Sequence, residues 1–196
     1  MAAIMQAEEL IYRIANKDRL AFKELYELFK DKVYNTCISY MQDSSEAEEV
    51  TQDVFLEVYN SANSFIGKST VSTWIYRISV NKCIDRIRYQ NRQKRRGFIA
   101  SIFNKDTGEL EHDPAGFEHP GVVYEHKENA AVLFNAIKQL PDNQKTAFIL
   151  KQIEGLSQIE VAEIMDLSQK AVESLLQRAK SNLRKLLKDF YDSTKD

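Results

Sequence analysis

The sequence contains few residues that interrupt helices. Proline occurs three times and glycine six times in 196 residues, and no proline precedes residue 114. Proline removes a backbone donor and glycine adds conformational entropy to the unfolded chain, so their scarcity favours helix through the N-terminal half. Strand-type alternation of apolar and polar residues is nowhere sustained. The sequence therefore predicts an all-α protein.

Cysteine is scarce and long apolar runs are missing. Cys37 and Cys83 lie far apart in the sequence, inside apolar helical patterns, and we interpret them as reduced core thiols. No segment approaches membrane-spanning length, and the N-terminus lacks a cationic stretch followed by a long apolar one. We expect a cytoplasmic protein that is not inserted in a membrane.

No arrangement of residues indicates catalysis or metal binding. His112, His119 and His126 recur at seven-residue intervals, but no paired cysteines or compact histidine spacing accompany them. No nucleophile with an adjacent base is recognisable. We predict that the protein is not an enzyme, has no small-molecule substrate, and needs neither a metal nor a cofactor.

The formal net charge is only −2, but the charges are segregated. Residues 42–60 carry six acids and no cation, whereas residues 77–96 carry eight cations and one acid, a net +7. Residues 168–188 carry six cations and one acid, a net +5. Two basic segments and one acidic segment suggest two kinds of partner.

Residues 156–187 are typical of a helix-turn-helix. Ser157 and Ser168 each precede an apolar-periodic run and are predicted N-caps. In the first helix the predicted apolar face is Ile159, Ala162 and Ile164 to Met165, and only Asp166-Leu167 separates it from the second cap. So short a connection favours a helix-turn-helix.

The second of these helices has one apolar and one polar stripe. Its predicted apolar stripe is Val172, Leu175, Leu176, Ala179, Leu183, Leu186 and Leu187. Amides and charges near the N-terminal end of the polar stripe can address base edges, and cations further along can contact phosphates. The candidate DNA-binding residues are Ser168, Gln169, Lys170, Glu173, Ser174, Gln177, Arg178 and Lys180. A helical hairpin with a merely solvated polar face is the alternative.

The N-terminal segment predicts a bundle of helices. Asp18 can cap one whose broad apolar surface is Leu20, Phe22, Leu25, Tyr26, Leu28 and Phe29, with its aromatic rings in the core. Ser44 or Ser45 is expected to cap the acidic helix, whose buried stripe is Ala47, Val50, Val54 and Val58. The outward side then carries Glu48, Glu49, Gln52, Asp53 and, unusually, Leu56. We interpret this side as a binding surface for a helical partner that is basic. The alternative is a charged helix face that is simply exposed to solvent.

A loop at residues 61–70 leads into the basic helix. Thr70 or Ser69 can cap that helix, whose apolar face changes sides between Ile78 and Val80. Cations interleaved with aromatic rings suit melted nucleic acid, because rings stack on bases while cations follow the backbone. A solvated basic helix remains the alternative.

Residues 97–128 differ sharply in composition from the rest of the chain. They hold four of the six glycines, two of the three prolines and a net charge of −5, from two cations against seven acids. We predict an acidic flexible linker between a helical domain at 1–96 and a helix-turn-helix domain at 129–196. In the latter, Ala131 to Leu140 and a segment opened by Asp142 and stopped at Glu154-Gly155 precede the helix-turn-helix.

The ordered motifs resemble the extracytoplasmic-function (ECF) class of bacterial RNA polymerase sigma factors. The resemblance rests on AFKELYELF at 21–29, EAEEVTQDVFLEVY at 46–59, STWIYRISVNKCIDRIR at 72–88, LP at 140–141 and the helix-turn-helix from Leu156. It covers both predicted domains and leaves only the linker unmatched. It implies a region 2-like and a region 4-like helical domain, and promoter-directed initiation of transcription.

The resemblance also implies roles for residues. RNA polymerase core, through its clamp and flap regions, and promoter DNA would be the partners, and an anti-sigma factor is a possible third. Core binding would fall to Glu49, Gln52, Asp53 and Leu56. Recognition and melting of the −10 element would fall to Phe65, Lys68, Ser69, Thr70, Trp74, Tyr76, Arg77, Asn81, Asp85 and Arg88, and the −35 element to the helix-turn-helix. The linker would run through the polymerase cleft, where its acidity could mimic nucleic acid.

Two other classes of function stay open on the sequence alone. One is a ligand-responsive, dimeric helix-turn-helix regulator, which would footprint a palindrome without polymerase. The other is an adaptor whose helices all serve protein contacts.

Overall fold

A computed structural model describes the backbone of residues 2–103 and 127–193, and the side chains of residues 6–96 and 129–188. The described chain is helical and contains no strand, as the scarcity of proline and glycine predicted. The helices are α1 (Ala2–Ala15), α2 (Arg19–Met41), α3 (Ser44–Ser61), α4 (Val71–Phe103), α5 (Lys127–Lys138), α6 (Asp142–Phe148), α7 (Gln158–Met165) and α8 (Gln169–Ser193). A short 3-10 turn, Ala62–Ser64, follows α3, and a π turn, Ile149–Ile153, continues α6.

Helices α1 to α4 pack around one apolar core. The predicted stripe of α3, Ala47, Val50, Val54 and Val58, is buried there against Leu25, Val33 and Ile38 of α2 and Ile75 of α4. Cys37 and Cys83 are free and buried, with their sulfur atoms 3.9 Å apart between α2 and α4. Their burial confirms them as core thiols.

Side-chain caps fix where most of these helices begin. Asp18 accepts hydrogen bonds from the amides of Leu20 and Ala21, and Thr70 accepts from the amide of Thr73, as predicted. The expected cap of α3 at Ser44 or Ser45 is wrong. Asp43 is the cap, because its carboxylate accepts from the amide of Glu46 at 2.9 Å and Ser44 is already helical.

Helix α4 is longer than expected. It continues past Arg96 to Phe103 and so enters the predicted linker. Gly97 alone costs a helix about 1 kcal/mol, and no proline follows until residue 114, so nothing there forces the helix to end. The rest of the predicted linker, residues 104–126, lies outside the described residues, as do His112, His119 and His126.

The C-terminal helices bury Ile137, Ile149, Leu150, Val161 and Val172, which belong to the same apolar cluster as the core of α1 to α4. Ser157 caps α7 through a capping box with Glu160, and Ser168 accepts from the amide of Ala171 at the start of α8. Asp166 has a left-handed backbone (φ 54°), which turns the chain sharply between α7 and α8. The predicted helix-turn-helix is therefore formed.

Several apolar residues do not lie where the periodicity placed them. Ile159 is 56% exposed, and Val161 takes its expected place in the core. Leu20, Tyr26 and Leu28 are also exposed, although the Tyr26 ring is tilted against the Phe55 ring, with 4.7 Å between the ring centroids. Leu186 is similarly exposed. The predicted apolar surfaces of α2 and α8 are wider than the buried ones, because a helix in a bundle meets its neighbours over only part of its circumference.

Candidate nucleic-acid interface

The loop before α4 presents an aromatic pair. The rings of Phe65 and Trp74 lie 5.3 Å apart, and Thr70 anchors the loop end through its cap. Gly67 has φ 70°, a left-handed conformation that favours glycine, so the chain can reverse here without strain. Lys68 is exposed beside it, and Ser69 is half-buried.

Helix α4 carries a polar face that continues from this pair. Trp74, Arg77, Asn81, Asp85 and Arg88 follow one another at spacings of three or four residues, so they share one side of the helix. Asn81, Asp85 and Arg88 are at least partly accessible to solvent. A line of an aromatic ring, an amide and cations is suited to melted nucleic acid, because the ring can stack on an unstacked base while the cations contact the phosphate backbone.

Tyr76 and Arg77 are not free in this structure. Tyr76 is only 6% exposed, and its hydroxyl donates to Glu154 at 3.4 Å. The Arg77 guanidinium donates to the carbonyl of Glu163 at 3.0 Å. Both predicted DNA-binding side chains are therefore engaged by the C-terminal helices.

Part of the basic charge of α4 is neutralised by α3. Arg86 forms ion pairs with Glu46, at 2.6 Å, and with Glu49, and Lys82 pairs with Glu57 at 2.9 Å. These ion pairs join the acidic helix α3 to the basic helix α4, although the opposite charges of the two helices suggested separate partners. The unpaired charge that each helix can offer to a partner is therefore smaller than the sequence indicated.

The outer side of α3 keeps an exposed set of residues. Gln52 and Asp53 are exposed, and Leu56 is 59% exposed. Glu49 is also exposed but is held by Arg86. An apolar side chain flanked by an amide and a carboxylate is the composition expected of a protein-binding surface.

The polar face of α8 is open to solvent along its first turns. Gln169, Lys170, Glu173, Gln177, Arg178 and Lys180 are all exposed. Ser168 is occupied as the cap, and the Ser174 hydroxyl donates to the carbonyl of Lys170 at 3.0 Å. Gln158 of α7 donates to the carbonyl of Gln169 at 2.9 Å, which fixes the two helices of the motif against each other.

One site residue, Glu154, was not predicted from the sequence. It follows the π turn and lies against Tyr76, where burial raises the pKa of its carboxyl to about 7. Its Oε1 atom is buried without a hydrogen-bond partner among the described residues. The sequence indicated only that a helix stops there, because the partners of Glu154 come from helices far away in the chain.

The described residues show neither a metal cluster nor a membrane-spanning helix. Among them, no three His, Cys, Asp or Glu side chains are grouped so that they could hold a metal ion. Within the same part of the chain, no helix is both long and apolar enough to cross a membrane.

Two family models match the chain. Sigma-70 region 2 matches residues 25–93, and Sigma-70, region 4 matches residues 131–183. The first contains α3 and the polar face of α4, and the second contains α7 and the first part of α8, up to residue 183.

Curated proteins and solved structures agree with these models. The chain is 31% identical to the ECF RNA polymerase sigma factor SigW of Bacillus subtilis, over 94% of this chain and 98% of that protein. It is also 31% identical to the ECF RNA polymerase sigma-E factor of Haemophilus influenzae, over 92% of this chain and 94% of that protein.

Among solved structures, CnrH in complex with the cytosolic domain of CnrY has a TM-score of 0.65 at 20% identity, covering 94% of this chain and 98% of CnrH. The sigma factor RpoE of Bartonella quintana, solved with the anti-sigma factor NepR, has a TM-score of 0.59 at 22% identity. It covers 85% of this chain and 96% of that one. Matches along nearly the whole chain do not favour the ligand-responsive regulator, and the protein belongs to the ECF class of RNA polymerase sigma factors, which bind polymerase core and promoter DNA.

Proposed function

We propose that three surfaces divide the work of this sigma factor. The outer side of α3, with Glu49, Gln52, Asp53 and Leu56, docks on the polymerase clamp. The loop and polar face of α4 bind and open the −10 element, and the polar face of α8 reads the −35 element. The protein makes no bonds itself, works where polymerase works, in the cytoplasm, and leaves phosphodiester chemistry to the core enzyme.

The observation that supports this division best is the polar face of α4. It places Asn81, Asp85 and Arg88 on the same side of one long helix as Trp74, whose ring lies against Phe65 of the preceding loop. A single strand needs both a stacking platform and a row of polar and cationic groups, and this face supplies the two together.

An anti-sigma protein is part of the proposal. The structurally similar sigma factor RpoE was solved with the anti-sigma factor NepR, and CnrH was solved with the cytosolic domain of CnrY. We infer that this chain is also held inactive by a protein that covers one of its three surfaces.

Run-off transcription with purified core tests the proposal. The templates are a library of promoter-sized genomic fragments. Core supplied with the full chain should transcribe a subset of these fragments, and core alone should not transcribe them. Asn81→Ala should reduce transcription about 5- to 150-fold, since a base contact contributes roughly 1 to 3 kcal/mol. The matched control is Gln93→Ala, which removes an exposed amide side chain on the same helix but off this face.

The defect of Asn81→Ala should shrink on templates whose −10 region is already unpaired, because those templates need no melting. If Asn81→Ala and Gln93→Ala transcribe equally well from duplex templates, the assignment of α4 to the −10 element is wrong. A symmetric footprint over a palindrome without core would instead support a dimeric regulator.

A further inference from the structure

Arg86 of α4 joins two carboxylates of α3. Its Nε atom donates to Glu46 at 2.6 Å, and its Nη2 atom donates to the Oε2 atom of Glu49. A guanidinium carries five donors in a rigid fork, so one arginine can hold two carboxylates in fixed positions. Glu46 and Glu49 are three residues apart on α3, a spacing that makes them neighbours on the helix surface. The side chain of Glu49 is therefore held by a residue of another helix.

The two glutamates differ in what they offer to a partner. The side chain of Glu46 is 32% exposed, whereas that of Glu49 is 57% exposed. Glu49 and Leu56 are seven residues apart, so they lie on the same side of α3, about 10 Å from each other along its axis. A carboxylate has about four acceptor positions, so Glu49 can accept from Arg86 and from a second cation at the same time. Glu49 is thus the member of this pair that can meet a basic side chain near Leu56.

We propose that Arg86 is a positioning residue for the binding of polymerase core: it holds the carboxylate of Glu49 in the orientation that meets a cation of core near Leu56. The inference rests on the proposed docking role of α3. A glutamate side chain that is free on a helix surface samples several rotamers and loses this freedom when a partner binds it. The ion pair with Arg86 removes part of that freedom in advance, so less of it is lost when core binds.

A simple charge effect of Arg86 would act in the opposite direction. The docking surface is acidic and its partner is expected to be basic, so a cation beside this surface repels the partner. If Arg86 acted only through its charge, its removal would strengthen the binding of core. If Arg86 positions Glu49, its removal weakens that binding. The sign of the change in affinity therefore distinguishes the two effects.

Lys82 provides a matched control on the same two helices. Its ammonium pairs with Glu57 at 2.9 Å, and Glu57 is not one of the proposed docking residues. The ion pairs of Lys82 and Arg86 are both partly exposed, and such pairs contribute little to stability, so Arg86→Met and Lys82→Met should both fold. Each variant removes one positive charge and keeps an unbranched side chain. A difference between them in core binding then reflects which carboxylates have lost their cation.

Fluorescence titration of the full chain with purified core measures the affinity. Arg86→Met should bind core about 2- to 10-fold more weakly than wild type, because Glu49 must be ordered during binding. Lys82→Met should bind at least as tightly as wild type. Thermal unfolding followed by circular dichroism verifies that both variants are folded. If Arg86→Met binds core as tightly as Lys82→Met or more tightly, Arg86 does not position Glu49.

A double-variant cycle tests whether Arg86 acts through Glu49. In a Glu49→Ala background, Arg86→Met should not weaken core binding further, because the carboxylate that Arg86 holds is already absent. An equal loss of affinity in both backgrounds would mean that Arg86 acts through Glu46 or through the packing of α3 on α4, and the inference would be overturned.

A failure of this inference can be told apart from a failure of the proposed docking surface. If Leu56→Asp combined with Asp53→Lys binds core normally, α3 is not the docking surface, and the role of Arg86 falls with it. If that double variant binds core weakly while Arg86→Met binds like Lys82→Met, the docking surface stands and only the positioning role of Arg86 is wrong.

Discussion

Leu56 shows how much one exposed side chain can indicate. A leucine that is 59% exposed on a helix of carboxylates and amides leaves most of its apolar surface in water in the free protein. It can bury that surface only against a partner, and the flanking Asp53 is positioned to meet a cation there.

We therefore expect Leu56→Asp combined with Asp53→Lys to weaken binding to polymerase core by about 1 to 4 kcal/mol, since an interface anchor typically contributes this much. Both positions lie off the buried stripe of α3, so the variant should keep the thermal stability of wild type. A fluorescence titration with core measures the affinity. Tyr12→Asp, which alters a similarly exposed apolar residue on α1, should bind core normally. Unchanged affinity in the double variant would refute the docking surface.

Glu173 is the single acid within residues 168–188 and lies among amides and cations on the polar face of α8. Leu175 packs against the core, and Glu173 is exposed on the polar face. A carboxylate there repels phosphate but can accept from the exocyclic amine of cytosine.

Glu173→Lys should therefore change which −35 base is preferred, by roughly 1 to 3 kcal/mol of discrimination, rather than only the strength of transcription. Transcription from a library of promoters that vary in the −35 element measures this preference. Lys180→Ala is the control, because loss of a phosphate contact should weaken all promoters alike. An identical ranking of the library by wild type and Glu173→Lys would show that Glu173 does not read a base.

At the scale of the element, α3 and α4 act as one unit. Arg86 and Lys82 of α4 pair with three glutamates of α3, and Cys37 and Cys83 pack between α2 and α4. Burial raises the pKa of the Cys83 thiol, which keeps it protonated and unreactive. The proposed docking and −10 surfaces are thus held on a common rigid support, so that core binding through α3 can orient α4.

The start of α3 gives a direct test of its cap. Asp43→Ala should lower the free energy of unfolding by about 1 kcal/mol, because the amide of Glu46 loses its acceptor. Ser44→Ala should be nearly neutral, since Ser44 is within the helix and exposed. Urea unfolding of the two variants compares them. If Ser44→Ala lowers the free energy of unfolding more than Asp43→Ala does, Ser44 is the cap, as the sequence suggested.

At the scale of the whole molecule, the composition of residues 97–128 predicts where the chain is cut. Glycine, proline and acidic residues are concentrated there, and such a segment cannot bury enough apolar surface to form a core of its own. Limited proteolysis of the full chain should therefore cleave first between Gly97 and Glu128, and mass spectrometry identifies the fragments. First cleavage within residues 46–90 would contradict the division into domains at 1–96 and 129–196.

The helices, most of their caps and the helix-turn-helix follow from the amino-acid sequence alone. These depend on interactions within a few residues: Asp18, Thr70, Ser157 and Ser168 each bond amides two or three positions ahead. The buried stripe of α3 and the exposure of Leu56 followed from helical periodicity for the same reason. The family resemblance was also contained in the sequence, because it rests on ordered local motifs.

Which polar side chains are free and which are paired depends on how the helices pack together. Tyr76 meets Glu154 across 78 positions of sequence, and Arg77 meets Glu163 across 86. Arg86 finds Glu46 and Glu49 on a neighbouring helix. No local pattern encodes such pairs, since side chains that are distant in sequence are brought together by the packing of whole helices. For the same reason, the burial of Glu154 and the rise of its pKa appear only when α2, α4 and the π turn are packed together.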